Sequence, residues 1–352
     1  MSTAPRVVVV GAGVVGARVT RELLGPLADG GPAVSSVRLV GRRPARLSAL
    51  AGAFGSRVEL VERDRMDRAS LAGADVVVVA RAAGDQFDVA DQAVAAGAHV
   101  VTTSDDLEEC RALLALDDRA SAAGRSVSIG AVMAPGLSCL LTRHAAGLLD
   151  GIDEVHVARL GAGGPSCARQ RRRALRGTAT ELRDRSWSDR PGFSGRELVW
   201  FPDPIGGADC YRAELPDPLL LVDAVPGVRR ATARLAASRV DRCTFWLPMF
   251  VGPPDEGAPG AVRVEVRGHR AGQRHDVVYG VFDRPAVAAA ATAAVVTLQL
   301  AAGRGPVGAH GLAAWTDPLP ILLELARRGV RAAVFEGSRE FGVRGDDTTL
   351  SG

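Results

Sequence analysis

Lysine and asparagine are absent from this chain of 352 residues, so all 43 of its basic residues other than histidine are arginine. Without lysine there is no phosphate-loop lysine, no Schiff-base lysine and no lysine general acid. Without asparagine there is no acceptor for N-glycosylation. Aromatic residues make up 4%, and tyrosine occurs twice. The five cysteines, Cys110, Cys139, Cys167, Cys210 and Cys243, are odd in number and form no CxxC pair. That argues against a disulfide framework or a structural zinc site, and a reducing cytoplasm is the expected setting. No HxH, HExxH or carboxylate cluster points to a metal, so none is expected. A net charge of only +3 argues against a nucleic-acid partner.

Long apolar runs are also scarce. The run from Pro285 to Ala302, PAVAAAATAAVVTLQLAA, is short for a membrane span, mostly alanine, and interrupted by Thr292, Thr297 and Gln299. A buried helix is expected there, and no membrane partner. The apolar N-terminal run is explained by a strand, a glycine turn and a helix, which leaves no secretory signal.

What the chain does have is a globular balance of 47% hydrophobic and 24% charged residues, with length for about two domains. The first third alternates. Strands are expected at Val7 to Val10, Val37 to Val40, Val58 to Val61, Asp75 to Ala80, His99 to Thr102 and Ser126 to Ala131. Helices are expected at Arg18 to Leu27, Pro44 to Phe54, Asp88 to Ala96 and Leu107 to Ala123. This order implies a parallel, doubly wound sheet. After Pro135-Gly136 the pattern changes. A helix over Leu137 to Leu149 and a strand over Glu154 to Leu160 precede a stretch, Gly161 to Pro218, that reads as irregular. Val262 to Arg267 and Asp276 to Phe282 then alternate at period two, as in an antiparallel sheet. Ile321 to Arg328 reads as a closing segment.

The motif VVVVGAGVVGARVTRELL places Gly11, Gly13 and Gly16 in GxGxxG spacing between a strand and a helix, which is the context a dinucleotide fingerprint requires. Gly11 allows the tight turn, Gly13 lets a pyrophosphate reach the backbone, and Gly16 lets the helix pack on the strand. Val14 and Val15 between these glycines are candidate cofactor-binding residues, and the N-terminus of the following helix presents free N–H groups to the phosphates. The second strand runs into Gly41, Arg42 and Arg43, where an NAD site would usually carry an acid. Two guanidiniums there favour the 2′-phosphate of NADP(H). Ala80 and Arg81 after the fourth strand, and Thr103 and Ser104 after the fifth, lie at strand carboxyl ends, where such ligands sit. The fold class is therefore α/β: an N-terminal Rossmann doubly wound parallel sheet with a second mixed α/β domain. The expected division is a Rossmann domain over 1–135, a substrate and dimerisation domain over 136–285, and C-terminal helices over 286–352 that return to the first domain.

The segments GAGVVG, VGRR, DVVVVARAAG, AVAAGAHVVTTSDD, GAVMAPGLSCLL and DPLPILLELARRGVRAAVFEG together resemble the saccharopine dehydrogenase-like family, over most of residues 6 to 337. The resemblance implies a Rossmann domain, a second domain for substrate and dimer contacts, hence an expected homodimer, and NADP-dependent redox chemistry at a C=N or C–N bond.

Within the second half, CARQRRRALR places Arg169, Arg172, Arg173 and Arg176 at helical spacing. Arg169 and Arg173 are candidates for an anionic group of a small-molecule substrate, and Trp200 for an apolar pocket wall. Trp187, Phe201 and Trp246 fall in the same domain. His156 reads as packed on a strand, and His144 and His310 have no evident partner. Reduction of a neutral imine needs a proton delivered to nitrogen. Tyr211, beside Asp209 and Cys210 in a Gly- and Pro-framed loop, is the first candidate to deliver it. The expected function is an NADPH-dependent oxidoreductase acting on C=N or C–N. The alternatives are the same scaffold used for non-redox cyclisation or isomerisation, or a non-enzymatic NADPH sensor.

Overall fold

The computed structural model describes residues 5–25, 34, 36–82, 84–244 and 257–335. In the first part, strands β1 (Val7–Val10), β2 (Val37–Gly41), β3 (Val58–Glu62), β4 (Val76–Val79), β5 (His99–Thr102) and β6 (Ser126–Ile129) alternate with helices α1 (Val14–Leu24), α2 (Pro44–Phe54), α3 (Arg68–Leu71), α4 (Gln86–Ala95), α5 (Leu107–Leu114) and α6 (Asp117–Ala122). β1 and β4 are each four valines, all buried. β-Branched strands of this kind fit a sheet covered on both faces. The helix expected over Leu107 to Ala123 is in fact two. The Ala115 N–H is shared between Arg111 and Ala112 carbonyls and Leu116 bonds back to Leu113, so the chain tightens and restarts at Asp117. That restart lets Asp117 Oδ1 accept from the Ala309 N–H at 2.8 Å.

The second part contains α7 (Leu137–Ala146), β7 (Gly151–Leu160), α8 (Pro165–Arg176), β8 (Thr178–Arg183), β9 (Ser186–Pro191), β10 (Glu197–Phe201), β11 (Gly206–Arg212), α9 (Asp217–Val222), β12 (Arg230–Ala236), α10 (Arg239–Thr244), β13 (Gly260–Arg270), β14 (Gln273–Asp283), α11 (Pro285–Ala301), β15 (Gly308–Gly311), α12 (Leu319–Arg327) and β16 (Ala332–Phe335). The stretch from Gly161 to Pro218 is thus largely regular, against expectation. Its helix is mostly arginine outside and buries only Gln170, Ala174 and Leu175. β9 buries nothing, so period-two alternation had no apolar residues to show itself in. Gly195, at φ +58°, is a turn residue between β9 and β10, and Gly206, at φ +68°, opens β11. Trp246 lies outside the described residues.

The first sheet has seven strands in the order β15-β6-β5-β4-β1-β2-β3, and every pairing in it is parallel. Its reversal of winding at β1 and β4 is the switch point at which doubly wound sheets open a crevice. The second sheet follows the order β10-β11-β12-β7-β13-β14-β16, with β8 on β12 and β9 on β8. β7 and β12 are parallel and the rest are antiparallel, so the sheet is mixed. α11 is the Ala-rich run, packed on α1 and on β4 and β5, with twelve of its residues buried. Thr297 Oγ1 returns a hydrogen bond to the Ala293 carbonyl at 2.7 Å. No helix among the described residues is long and apolar enough to cross a membrane.

Candidate functional site

A cleft of about 610 Å³ runs from the β1–α1 turn to the start of α8. Its first wall is backbone. Gly11, at φ +123°, could carry no Cβ, because that atom would lie 2.3 Å from the Ala80 carbonyl oxygen. A Cβ on Gly16 would fall 1.7 Å from the Gly11 oxygen. A Cβ on Gly13 would meet nothing within 4 Å, so that position faces open cleft. The three glycines therefore differ in role: two let chain segments touch, and the third leaves room for a ligand. Gly13 caps α1 without a side-chain hydrogen bond, which leaves the first-turn N–H groups of Val14 and Val15 without an intrahelical acceptor. Arg46 Nε donates to the Ala12 carbonyl at 2.7 Å and fixes the turn from behind.

One end of this wall is cationic. Arg42 lies 3.8 Å from Asp64 and 3.7 Å from Asp85 while remaining half exposed. Arg43 is exposed at the start of α2. Arg81 donates to the Asp64 carbonyl at 2.6 Å. Burial, and then the neighbouring Arg42 charge, pull the Arg81 pKa down. Gly41, at the end of β2, would place a Cβ 2.9 Å from the Ala12 Cβ and 3.0 Å from Leu47. An acidic side chain has no room there.

The floor is braced by residues the sequence reading did not single out. Buried Gln86 accepts from the Thr103 N–H at 3.0 Å and donates to the Arg81 carbonyl at 2.8 Å. Glu109 accepts from the Gly84 and Gln86 N–H groups, both at 2.8 Å, and from Ser104 Oγ at 2.6 Å. Burial pushes the Glu109 carboxyl up, and these donors oppose it. The Ser104 hydroxyl thus orients the loop, while the Thr103 hydroxyl donates to the Val79 carbonyl at 3.1 Å. Ala80 and Arg81 line the cleft beside them.

The opposite wall comes from β7 and α8. Arg159, an inward position on β7, reaches Asp105 at 3.3 Å and also donates to the Ala134 carbonyl. Gly161 and Gly163 bring the chain against Gly260 and Ala286, which seats the start of α8 on the cleft. Cys167 lines it, and burial pushes that thiol up to about 11. Gln170 crosses to Asp106 at 2.7 Å. Arg171 forks onto Asp241 at 3.0 and 3.1 Å. Burial raises the Asp241 carboxyl, but the Arg171 bonds outweigh it and hold it at about 2. Arg169 and Arg173 are exposed and line the cleft. Arg169 donates to Ser166 Oγ at 3.0 Å. Arg172 turns to the Thr244 carbonyl, and Arg176 bonds back to the Arg172 carbonyl.

Tyr211, Asp209 and Trp200 lie outside the cleft. Tyr211 is in the small core under α8, stacked on Phe193 at 4.6 Å, with its hydroxyl accepting from Arg242 at 3.2 Å. Asp209 pairs with Arg196 at 2.9 Å. Trp200 is 61% exposed on β10. The three histidines His144, His156 and His310 each have a hydrogen-bond partner. His144 meets the Tyr279 hydroxyl at 2.7 Å, His156 lies between Thr232 and Glu154, and His310 contacts Ser126 and the Pro306 carbonyl. Tyr279 and Ser126 were not legible as partners of His144 and His310 because they lie on strands 135 and 184 positions away. Among the described residues no three metal-ligating side chains gather. Arg159 and Asp105 did leave signals: a charge at an inward strand position, and an acid directly after Thr103 and Ser104.

Residues 5–127 match a family described as oxidoreductases with an NAD-binding Rossmann fold. The N-terminal sheet is accordingly a Rossmann domain of the nicotinamide-dinucleotide-binding kind. No curated protein matches the chain. Among solved structures, saccharopine dehydrogenase (L-Glu forming) from Saccharomyces cerevisiae superposes with a TM-score of 0.67 at 16% identity, over 94% of this chain and 100% of that one. The DAP dehydrogenase of C. glutamicum, in complex with DAP, superposes with a TM-score of 0.50 at 17% identity, over 93% and 99%. At these identities the likeness is one of fold: both domains, in the same order.

Proposed function

We propose that this chain is an NADP(H)-dependent oxidoreductase that interconverts a C–N single bond and a C=N double bond in a small substrate bearing a carboxylate. The observation that carries the reading is the meeting, in one cleft, of the glycine cradle, three arginines at its β2 end, and the arginine-bearing start of α8. The open space over Gly13 and the uncapped first turn of α1 suit a pyrophosphate. Arg42 and Arg43 suit a 2′-phosphate, and the crowding at Gly41 removes the place of an acid that would repel it. A bound NADPH supplies two electrons as a hydride, and NADP⁺ accepts them in reverse. The chain's own part is to hold and orient. Gln86 and Glu109 fix the loops that carry Arg81, Thr103 and Ser104, and Arg169 and Arg173 hold the carboxylate. Two proteins that share the fold are dehydrogenases, one described as L-Glu forming and one bound to DAP, which supports the C–N reading.

The test is to titrate the full chain with NADPH and NADH, then follow nicotinamide absorbance with NADP⁺ and a panel of amino acids. NADPH should bind more tightly than NADH, and at least one amino acid should reduce NADP⁺. Tighter NADH would remove the assignment of Arg42 and Arg43. Turnover of hydroxy acids alone would remove the C–N assignment. Substrate conversion without change in absorbance would favour non-redox chemistry on the same scaffold.

A further inference from the structure

Interconverting an amine and an imine requires a group that gives nitrogen a proton or takes one from it. Among the described residues lining the cleft there is no lysine, histidine, tyrosine or glutamate; apart from arginines, the ionisable groups are Asp105 and Cys167. A thiol pushed up to about 11 is a poor exchanger near neutrality. Asp105 stands on the loop after β5, directly beyond Thr103 and Ser104. Its side chain is 21% exposed, toward the cleft, and its carboxylate is 3.3 Å from Arg159, which is itself 10% exposed and anchored on the Ala134 carbonyl. The charged and titratable groups around it are few: Arg159 on β7, the adjacent Asp106, Cys110 on α5, Cys167 on α8 and Asp217 on α9. Asp217 is wholly buried and accepts from Ser138 Oγ at 3.0 Å, and its second oxygen has no hydrogen-bond partner among the described residues. Among the described residues Arg159 is therefore the cation that acts on both Asp105 and Asp217. Burial pushes the Asp105 carboxyl up from the ordinary aspartate range, and Arg159 restrains it. An acid raised in this way is better matched to proton exchange near neutral pH than a free aspartate.

We propose that Asp105 is the acid–base residue of this reaction and that Arg159 is its positioning residue. The proposal rests on the oxidoreductase reading above. In the reducing direction, with NADPH as the reductant, the C=N π pair moves to nitrogen as carbon receives two electrons. That nitrogen takes the proton from the Asp105 carboxyl. Asp105 is left as a carboxylate and recovers a proton from solvent at the cleft mouth. In the oxidising direction the same carboxylate takes the proton from the amine nitrogen.

The experiment labels aspartate carboxyl carbons with ¹³C in the full chain and follows them by NMR against pH with NADP⁺ present. Wild type, Asp105→Asn and Arg159→Met are compared. Burial also pushes Asp217 and Asp283 up, so the Asp105 signal is the raised carboxyl that vanishes in Asp105→Asn, and it should move up by at least about one pH unit, a tenfold change, in Arg159→Met. If Arg159→Met does not fold, Asp105→Asn alone decides. With the amino acid that reduces NADP⁺, Asp105→Asn should lower kcat by about 10²–10⁴-fold and remove the acidic limb of the pH profile, with NADP⁺ affinity unchanged. An ordinary Asp105 titration would overturn the proposal. So would a variant kcat within about threefold of wild type with the limb intact. A wild type that binds no NADP(H) would sink the oxidoreductase reading separately, and the carboxyl titration would still decide the state of Asp105.

Discussion

On the β1–α1 side of the cleft a ligand would meet backbone: the Gly13 surface, the uncapped turn of α1, and the carbonyls around Gly11. On the β7–α8 side it would meet long polar and charged side chains, Gln170, Arg171 and Arg159 already held by internal partners. Backbone shape tolerates errors of tenths of an ångström and is set by residue type at fixed spacing. Side-chain charge tolerates more, and its direction is set by whichever partner lies within reach. The first wall is therefore rigid in purpose and brittle to mutation. The second is adaptable, and single changes there should cost less.

The sharpest break is expected at Gly16. With a Cβ 1.7 Å from the Gly11 oxygen, Gly16→Ala must displace backbone and should destabilise the fold by about 3 kcal/mol or more. Thermal unfolding measures this, and a melting temperature within a degree of wild type would mean the turn is loose. Next is Gly13→Val. The fold should be little affected, because nothing lies within 4 Å of the new Cβ, while NADPH affinity falls at least about 100-fold. Calorimetric binding like wild type would move the pyrophosphate elsewhere.

A third test asks whether the cationic end reads the 2′-phosphate. Arg42→Ala with Arg43→Ala should weaken NADPH by about 10- to 100-fold, with NADH little changed. Equal weakening of both would make the two arginines general phosphate contacts. The smallest effects should appear on α8 and separate its arginines by partner. Arg173→Ala should leave stability within about 0.5 kcal/mol yet raise KM for an amino acid more than for its amide. Arg171→Ala should instead show in the acid stability curve. Asp241 is held at about 2 by Arg171, below its unfolded value of 3.8. Its contribution, on the order of 1 kcal/mol after solvent screening, is present above the unfolded pKa and is lost as pH falls from about 4 to about 2. Stability measured across that window should lose most of this slope in Arg171→Ala, the Ser238 hydrogen bonds keeping the rest, and keep it in Arg173→Ala.

The same contrast explains what could be read from sequence. Val7–Val10, Pro44–Phe54 and His99–Thr102 are found where expected, because a buried strand of valines or a Pro-led helix leaves a local signature. The glycine spacing likewise encodes a turn in which Gly11 and Gly16 leave no space for a Cβ. Tyr211 and Asp209 were attractive for their neighbours in sequence, but strand pairing with β12 turns Tyr211 under α8. Gln86 and Glu109 look like ordinary helix residues; their role depends on loops 17 to 25 positions away. Asp105 and Arg159 are 54 positions apart, and only the meeting of the two sheets makes them a pair.

β15 gives the first sheet its last strand, and Asp117 waits 192 positions for the Ala309 N–H. The two domains are therefore interleaved along the chain rather than strung on it. During synthesis the β6 edge stays unpaired, and the sheet face under α11 stays bare, until nearly the whole second domain has emerged. Pairings over such separations close slowly and leave an open strand edge exposed meanwhile. Residues 1–135 alone are consequently an incomplete sheet, and a truncation before residue 308 removes part of the nucleotide-binding half rather than an appendage of the other.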